Sequence, residues 1–206
     1  MPHHITIISD PVCPWCFIGY HRLKTALRNN NTQAKITFQP FELNPDMPTL
    51  GMPRQDYVMR KFGTQGKAFY ANIRATAAAD GLNLELDQIT HMPATRQFHQ
   101  LVAWLKEFHP AQVEAFMGDT FKAFFEDGAK IDAESIQNRI LGKIGIPEKI
   151  QDIDLDDYRQ EVLDYRKFCN KLEVSGVPFF IIDDQKFIPG AITVAAWQKI
   201  LSKIRR

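Results

Sequence analysis

Residues 9–23 read SDPVCPWCFIGYHRL and place two cysteines, Cys13 and Cys16, on either side of a Pro-Trp pair. The run HITIIS that leads into them is rich in β-branched residues, which is typical of a strand. The apolar residues of FIGYHRLKTALRNN, which follows, recur at helical spacing. The stretch therefore predicts a strand, a turn that carries the cysteines, and a helix that begins at this turn.

A cysteine pair at the start of a helix is expected to contain two thiols with different roles. Cys13 falls where unpaired backbone N–H groups and the positive end of the helix dipole favour a thiolate. Cys16 lies one turn further in, where a less exposed thiol is suited to attack a mixed disulfide formed at Cys13. Pro14 is tolerated at a helix start, and Trp15 adds apolar surface beside the sulfur. We therefore expect Cys13 to attack, Cys16 to resolve, and Pro14 and Trp15 to contact the substrate.

Two other uses of the cysteine pair are less consistent with the sequence. Cys13, Cys16 and His21 match the first three ligands of a zinc knuckle, but the position of the fourth ligand holds Ala26, so no metal site is predicted. A structural disulfide closing so small a loop would add little stability to a chain of this size. The third cysteine, Cys169, is expected to be a small buried side chain with no redox role.

Strand patterns at both ends of the chain enclose a long helical segment. AKITFQPFEL, after the first helix, alternates like a second strand, and two strands joined by a helix are expected to pair in parallel. Residues 51–172 carry amphipathic helical patterns separated by Gly- and Pro-containing turns. PFFIID, KFIPG and TVAAWQKILSKI then predict an antiparallel hairpin and a closing helix capped by Thr193. The predicted fold class is α/β, in the order βαβ, helical block, ββα.

A second candidate segment, SGVPFF, places Pro178 at the first residue of a predicted strand, a position that proline tolerates. The Val177-Pro178 bond could be trans and ordinary. If it is cis, the backbone of Val177 is expected to face the cysteines and to pair with an extended substrate. The sequence alone leaves the isomer open.

Composition and charge exclude several classes of protein. With 206 residues, 45% of them hydrophobic, the chain can bury a full-sized core without disulfides or metals. The formal net charge of +1 gives no electrostatic support for binding nucleic acid or an anionic membrane. The sequence shows no export signal and no apolar run of about 20 residues. We therefore expect a cytoplasmic protein, where a CxxC pair is typically catalytic or metal-binding.

SDPVCPWCFIG, a helical block and then SGVPFFIID resemble the DsbA-like branch of the thioredoxin superfamily, over essentially the whole chain. FQPFELNPDMP after the second strand is similar to the FrnE-like subgroup of cytoplasmic dithiol-disulfide oxidoreductases. The resemblance implies a discontinuous thioredoxin-like domain, residues 1–50 and 173–206, with an inserted all-helical subdomain, residues 51–172. It also implies a nucleophilic Cys13, a resolving Cys16 and a cis Pro178.

The same branch contains glutathione-dependent isomerases and kappa-class transferases, in which a serine replaces the first cysteine. Such an enzyme, acting on a small aromatic molecule, is the alternative function, although the presence of both Cys13 and Cys16 favours thiol-disulfide exchange. We expect a protein or small-molecule substrate that contains a thiol or disulfide, no bound cofactor, and a monomer or homodimer. Whether glutathione is the redox partner stays open. A third alternative function is that of a binding module, without enzymatic activity, that uses the helical insert to hold unfolded chains.

Other residues have simpler expected roles. Glu42 and Asn44 are expected to cap the turn in NPDMP. His91, His99 and His109 have no ligand-like spacing and are expected at the surface or at helix ends. The 15 phenylalanines, many of them in the helical insert, are expected mainly in the core.

Overall fold

The computed structural model describes residues 2–204. The strands are β1 (His3–Ser9), β2 (Ala34–Pro40), β3 (Met52–Pro53), β4 (His91–Met92), β5 (Phe179–Ile182) and β6 (Lys186–Pro189). The α-helices are α1 (Pro14–Asn29), α2 (Arg54–Phe62), α3 (Gly66–Ala79), α4 (Arg96–Phe108), α5 (Val113–Phe125), α6 (Glu134–Lys143), α7 (Arg159–Lys171) and α8 (Val194–Ile204). Short 3₁₀ turns span Gly63–Gln65, Ile150–Asp152 and Leu155–Tyr158.

Four strands from the two ends of the chain form the main sheet, in the order β2-β1-β5-β6. β1 pairs in parallel with β2 and antiparallel with β5, and β5 and β6 form the antiparallel hairpin. The predicted βαβ and ββα units and the α/β fold class are thereby confirmed. Thr193 also takes its predicted place before α8, since its hydroxyl accepts the N–H of Ala196 at 3.2 Å.

β1 is the strand that the rest of the fold covers on both faces. Ile5 and Ile7 point into the large core with α1, α5 and α8, whereas Ile8 points to the other face. There it packs with Cys169 of α7, which is 1% exposed, and with Ile181 of β5. Alternate residues of a strand face opposite sides, so a central strand covered by helices reads as an unbroken apolar run. The prediction that Cys169 is a small buried side chain is confirmed.

The segment between the two halves of the sheet is mainly helical, as predicted, but it also contains a strand pair. Met52 and Pro53 of β3 pair antiparallel with Met92 and His91 of β4. Two-residue strands carry no alternation that a sequence pattern could reveal, and their partners are about 40 residues apart. The phenylalanines of α5 are core residues, as expected.

His99 contradicts the expectation of a surface or capping histidine. It lies within α4, is 3% exposed, and burial lowers its pKa to about 3. Its ring interacts with the backbone carbonyl of Phe41, which partly opposes that shift. The neutral imidazole therefore fills core volume between α4 and the end of β2, because a neutral ring costs far less to bury than a charged one.

Candidate active site

The turn after β1 fixes the backbone of Cys13 from both sides. Cys13 is the N-cap of α1, with φ −88° and ψ 111°, and Pro14 is the first helical residue. The carbonyl of Cys13 accepts N–H groups from Cys16 at 3.0 Å and Phe17 at 3.3 Å, while its own N–H donates to the carbonyl of Asp10 at 3.0 Å. The helix start predicted from the sequence therefore places Cys13 where orphan N–H groups gather.

The second candidate segment lies directly against this sulfur. The thiol of Cys13 donates to the backbone carbonyl of Val177 at 3.6 Å, across 164 residues of chain. The Val177-Pro178 peptide bond is cis, the isomer that the sequence alone left open. Pro178 is buried and Val177 half-buried, and the carbonyl of Pro178 accepts the N–H of Gly190 at 2.8 Å. The hairpin thus holds this segment beside Cys13.

The two thiols have different surroundings. Both thiols are free and buried; Cys13 is 3% exposed and Cys16 is 0% exposed. Of the two, only Cys13 therefore has a small solvent-accessible area. Burial raises the pKa of Cys16 well above its ordinary value, and its hydrogen bond to Cys13 raises the pKa further. Contacts from the Ser9 hydroxyl and the Asp10 N–H oppose this shift. Cys16 is therefore held as a neutral thiol pointing at Cys13.

Pro14 and Trp15, the other two residues expected to contact a substrate, are half-buried beside Cys13. Trp15 packs its apolar surface against the main core. The remaining exposed part of each side chain adjoins the turn that carries Cys13.

Asp10, which the sequence analysis passed over, connects three segments around the cysteine pair. It is 0% exposed, and its carboxylate accepts the N–H of Val12 at 3.1 Å, the N–H of Leu43 at 2.8 Å and the hydroxyl of Thr95 at 3.2 Å. Burial raises its pKa to about 6, although the two N–H groups and the hydroxyl favour the charged form. The sequence feature that could have identified Asp10 is its position in SDPVC, shortly before Cys13.

Residues of α2 and of the loop after β2 form the remaining side of the site. Tyr57 is buried and Lys61 exposed, and both interact electrostatically with Cys13 and Asp10. Burial raises the pKa of Tyr57 and lowers that of Lys61. With Asn44 they line a cavity of about 260 Å³. No local spacing relates residues 57 and 61 to the CPWC turn, so their proximity to it could not be predicted from the sequence.

The roles expected for Glu42 and Asn44 were wrong. The turn closes through the backbone, where the N–H of Met47 donates to the carbonyl of Asn44 at 3.0 Å. The Asn44 side chain instead donates to the Tyr57 hydroxyl at 3.3 Å and accepts from the Lys61 ammonium at 2.8 Å. Glu42 accepts from the Arg96 guanidinium at 3.0 Å. All three partners come from the helical segment, which turn chemistry alone does not predict.

Within residues 2–204, no group of three or more His, Cys, Asp or Glu side chains is arranged to hold a metal ion. His21, considered above as a zinc ligand, instead places its Nε2 at 3.1 Å from the carbonyl of Asp80. None of the helices in the same range is long and apolar enough to cross a membrane.

Several solved structures share this fold. A protein of Streptomyces coelicolor, described as a probable DsbA oxidoreductase, SCO1869, is 24% identical; the match covers 99% of this chain and 92% of that one, with a TM-score of 0.84. The cytosolic disulfide reductase DsbM of Pseudomonas aeruginosa with GSH is 15% identical over 97% and 98% of the two chains, with a TM-score of 0.68. A 2-hydroxychromene-2-carboxylate isomerase is 14% identical over 98% and 95%, with a TM-score of 0.70.

The family comparison extends along nearly the whole chain. The model of the DSBA-like thioredoxin domain matches residues 4–202, which include the CPWC turn, the helical segment and the Val177-Pro178 segment. The chain therefore belongs to the family of DSBA-like thioredoxin domains.

Proposed function

We propose that this protein is a thiol-disulfide oxidoreductase that uses Cys13 and Cys16 as its redox pair. The observation that carries the proposal is the position of Cys13, at the N-cap of α1, with its sulfur 3.6 Å from the carbonyl of Val177 and one helical turn before the buried thiol of Cys16. A thiol at a helix start is favoured as a thiolate, and a neighbouring protonated thiol stabilises that thiolate by donating to it.

The reaction begins when the Cys13 thiolate attacks one sulfur of a substrate disulfide. A Cys13–substrate disulfide forms and the other substrate sulfur leaves as a thiolate. Cys16 then gives up its proton and attacks the Cys13 sulfur, which releases the second substrate thiolate and leaves a Cys13–Cys16 disulfide. The substrate has gained two electrons and the protein has lost two; the same steps run backwards oxidise a dithiol.

The Val177 backbone is the proposed docking point for the substrate chain. In the reduced protein the Val177 carbonyl accepts a hydrogen bond from the Cys13 thiol. The carbonyl loses this donor when the thiol ionises or forms a disulfide. The carbonyl can then accept an N–H group of an extended substrate beside the reacting sulfur. Pro178, which follows Val177 in this segment, and the half-buried Pro14 and Trp15 complete the proposed substrate-binding surface.

The proposed substrates are proteins or small molecules with a thiol or disulfide, and the proposed redox partner is glutathione in a cytoplasmic setting. The fold shared with DsbM, a cytosolic disulfide reductase solved with GSH, supports these choices, as does a CPWC turn that holds both cysteines. The shared fold of an isomerase supports the alternative, in which glutathione is activated and no protein disulfide forms.

A redox titration tests the proposal. The wild-type protein is equilibrated in glutathione buffers of graded potential, quenched with an alkylating agent and analysed by mass, with Cys169→Ser as the control. We expect one two-electron transition to a Cys13–Cys16 disulfide. This disulfide is absent in Cys13→Ser, is replaced by a glutathione mixed disulfide in Cys16→Ser, and is retained in the control. About 30 mV corresponds to a tenfold change in the equilibrium constant, so the midpoint also indicates the favoured direction. If no Cys13–Cys16 disulfide forms, the proposal fails; full turnover of Cys16→Ser would support the isomerase.

A further inference from the structure

The side chain of Ser9 is a buried hydroxyl group without a partner. Ser9 is the last residue of β1, shortly before the CPWC turn. It is 1% exposed, and its Oγ is buried and has no hydrogen-bond partner within residues 2–204. Buried hydroxyl groups are normally paired, because an unpaired one costs free energy. Folding alone therefore does not account for a serine at this position.

The alternation of β1 directs this hydroxyl towards Cys16, the proposed resolving thiol. Ile5 and Ile7 point into the core that the strand shares with α1, and Ser9, two residues after Ile7, lies on the same face. Cys16 is on the buried side of α1, is 0% exposed and belongs to the same core. The Ser9 hydroxyl contacts the Cys16 thiol there, and this contact lowers the pKa of the thiol.

Regular backbone structure holds both residues in place. Ser9 pairs with Pro40 of β2, and its carbonyl accepts the N–H of Phe41 at 3.0 Å. The N–H of Cys16 donates to the carbonyl of Cys13 at 3.0 Å, in the first turn of α1. A polar group that is fixed in this way needs no rearrangement before it stabilises a charge that develops beside it.

The protonation state of Cys16 explains why the Ser9 hydroxyl is unpaired in the reduced protein. Burial keeps the pKa of Cys16 well above its ordinary value, so its sulfur is a neutral thiol, which accepts hydrogen bonds only weakly. A thiolate is a far better acceptor, because a hydrogen bond to a charged group is roughly twice as strong. Cys16 takes this form only while it attacks Cys13. An interaction that strengthens only at that moment lowers the barrier of the step.

We propose that the Ser9 hydroxyl donates a hydrogen bond to the Cys16 thiolate in the resolving step and thereby accelerates the release of the substrate. This inference rests on the thiol-disulfide exchange proposed above. In that step a bond forms between the sulfurs of Cys16 and Cys13, and the bond between Cys13 and the substrate sulfur breaks. The proton of Cys16 ends on the substrate thiolate that leaves, while Ser9 keeps its own proton.

Single-turnover kinetics of Ser9→Ala test this role. The reduced protein is mixed with oxidised glutathione, quenched with acid at successive times and analysed by mass. The glutathione adduct on Cys13 should form at the wild-type rate but persist about tenfold longer, the effect of losing one hydrogen bond to a charged group. The midpoint of the redox titration should move by less than about 30 mV, because neither the dithiol nor the disulfide contains the Cys16 thiolate.

Two further variants show whether the hydroxyl itself is responsible. Ser9→Thr keeps a hydroxyl group at this position and should restore a short-lived adduct. Ser135→Ala removes a hydroxyl from the exposed surface of α6 and is the matched control, with wild-type kinetics expected. An adduct that is as short-lived in Ser9→Ala as in the wild type would overturn the proposal. A folded Ser9→Thr with the long-lived adduct of Ser9→Ala would overturn it as well.

Urea denaturation separates this role from a role in folding. An unpaired hydroxyl does not stabilise the folded state, so Ser9→Ala should unfold at the wild-type urea concentration or above it. A lower midpoint would show that the hydroxyl is already paired in the reduced protein, contrary to the proposal. If the wild type itself forms neither the adduct nor the Cys13–Cys16 disulfide, thiol-disulfide exchange fails as the function, which is a different outcome from wild-type kinetics in Ser9→Ala.

Discussion

The sulfur atoms of Cys13 and Cys16 differ in what surrounds them, and this difference predicts which one can be trapped on a substrate. Cys13 lies beside the Val177 carbonyl, and Cys16 lies behind it, fully buried, with a raised pKa. In Cys16→Ser the proposed first attack by Cys13 remains possible, but the proposed resolving thiol is absent. We expect this variant to accumulate a mixed disulfide with glutathione or with a model disulfide substrate.

Mass spectrometry of the non-reduced protein measures that adduct. The reverse variant, Cys13→Ser, should give at least tenfold less adduct in the same time, because Cys16 is neutral and enclosed. Cys169→Ser leaves Cys13 and Cys16 in place and serves as the control. An adduct that forms equally well on Cys16 would reverse the assigned roles.

Asp10 makes the stability of the protein depend on pH in a specific direction. Its pKa is raised from 3.8 to about 6 in the folded protein, so between these values the folded state holds a proton that the unfolded state has released. The stabilisation is therefore present below about pH 4 and is lost as the pH rises through about 6. A shift of about two pKa units corresponds to about 3 kcal/mol.

The expected result for Asp10→Asn is a pH-dependent difference from the wild type. The free energy of unfolding of the variant, minus that of the wild type, should increase by up to about 3 kcal/mol between pH 4 and pH 7.5. Taking this difference cancels the opposite contribution of His99, whose pKa is lowered to about 3. Urea denaturation at each pH measures it, with the exposed Asp152→Asn as control. A difference that stays flat with pH would show that Asp10 is ionised throughout.

The contact between α1 and the cis-proline segment depends on a residue without a side chain. A Cβ atom at Gly19 would lie 2.9 Å from Cγ of Pro178 and 3.2 Å from Cζ of Phe180. The first distance is shorter than real Cβ contacts allow, and both neighbours belong to the packed hairpin. α1 can therefore approach the Val177-Pro178 segment only because residue 19 is glycine.

Gly19→Ala is expected to destabilise the protein by about 1–3 kcal/mol, the usual cost of overpacking, and to slow disulfide exchange by displacing Pro178. Gly142→Ala is the matched control: it lies within α6, and a Cβ there would have no neighbour within 4 Å. That variant should gain roughly 0.5–1 kcal/mol and keep the wild-type exchange rate. Denaturant unfolding and the rate of reaction with a model disulfide measure the two effects. Equal behaviour of the two variants would contradict the close contact.

Elements with a strong local pattern could be predicted from the sequence. The β-branched run of β1, the alternation of β2 and the turn between β5 and β6 each lie within a few residues, and all were recognised. The β3–β4 pair was missed because its strands have two residues each and are far apart in the chain. The expectations for His99, Glu42 and Asn44 failed for the same reason. Their neighbours belong to distant segments that only the tertiary fold brings together.

The helical segment and the two ends of the chain share one core. Phe17 of α1 stacks on Phe121 and Phe125 of α5, with ring centroids 5.5 and 5.7 Å apart. Arg22, also on α1, donates to the Asp80 carboxylate after α3 and to the Ala191 carbonyl before α8, each at 2.6 Å. The domain boundaries at residues 50 and 172 remain a prediction. Residues of both parts nevertheless belong to one large apolar core.

A shared core predicts that both parts unfold in a single transition. Trp104 in α4 and Trp197 in α8 report on the helical segment and on the thioredoxin-like part, and they are 8% and 0% exposed. In variants that keep only one of these tryptophans, with the others replaced by phenylalanine, fluorescence and far-UV circular dichroism should give the same urea midpoint. Coincident midpoints from local and global probes are the sign of two-state unfolding. If the Trp104 midpoint precedes the circular dichroism midpoint in its own variant, the helical segment unfolds independently, and residues 51–172 are a separate folding unit.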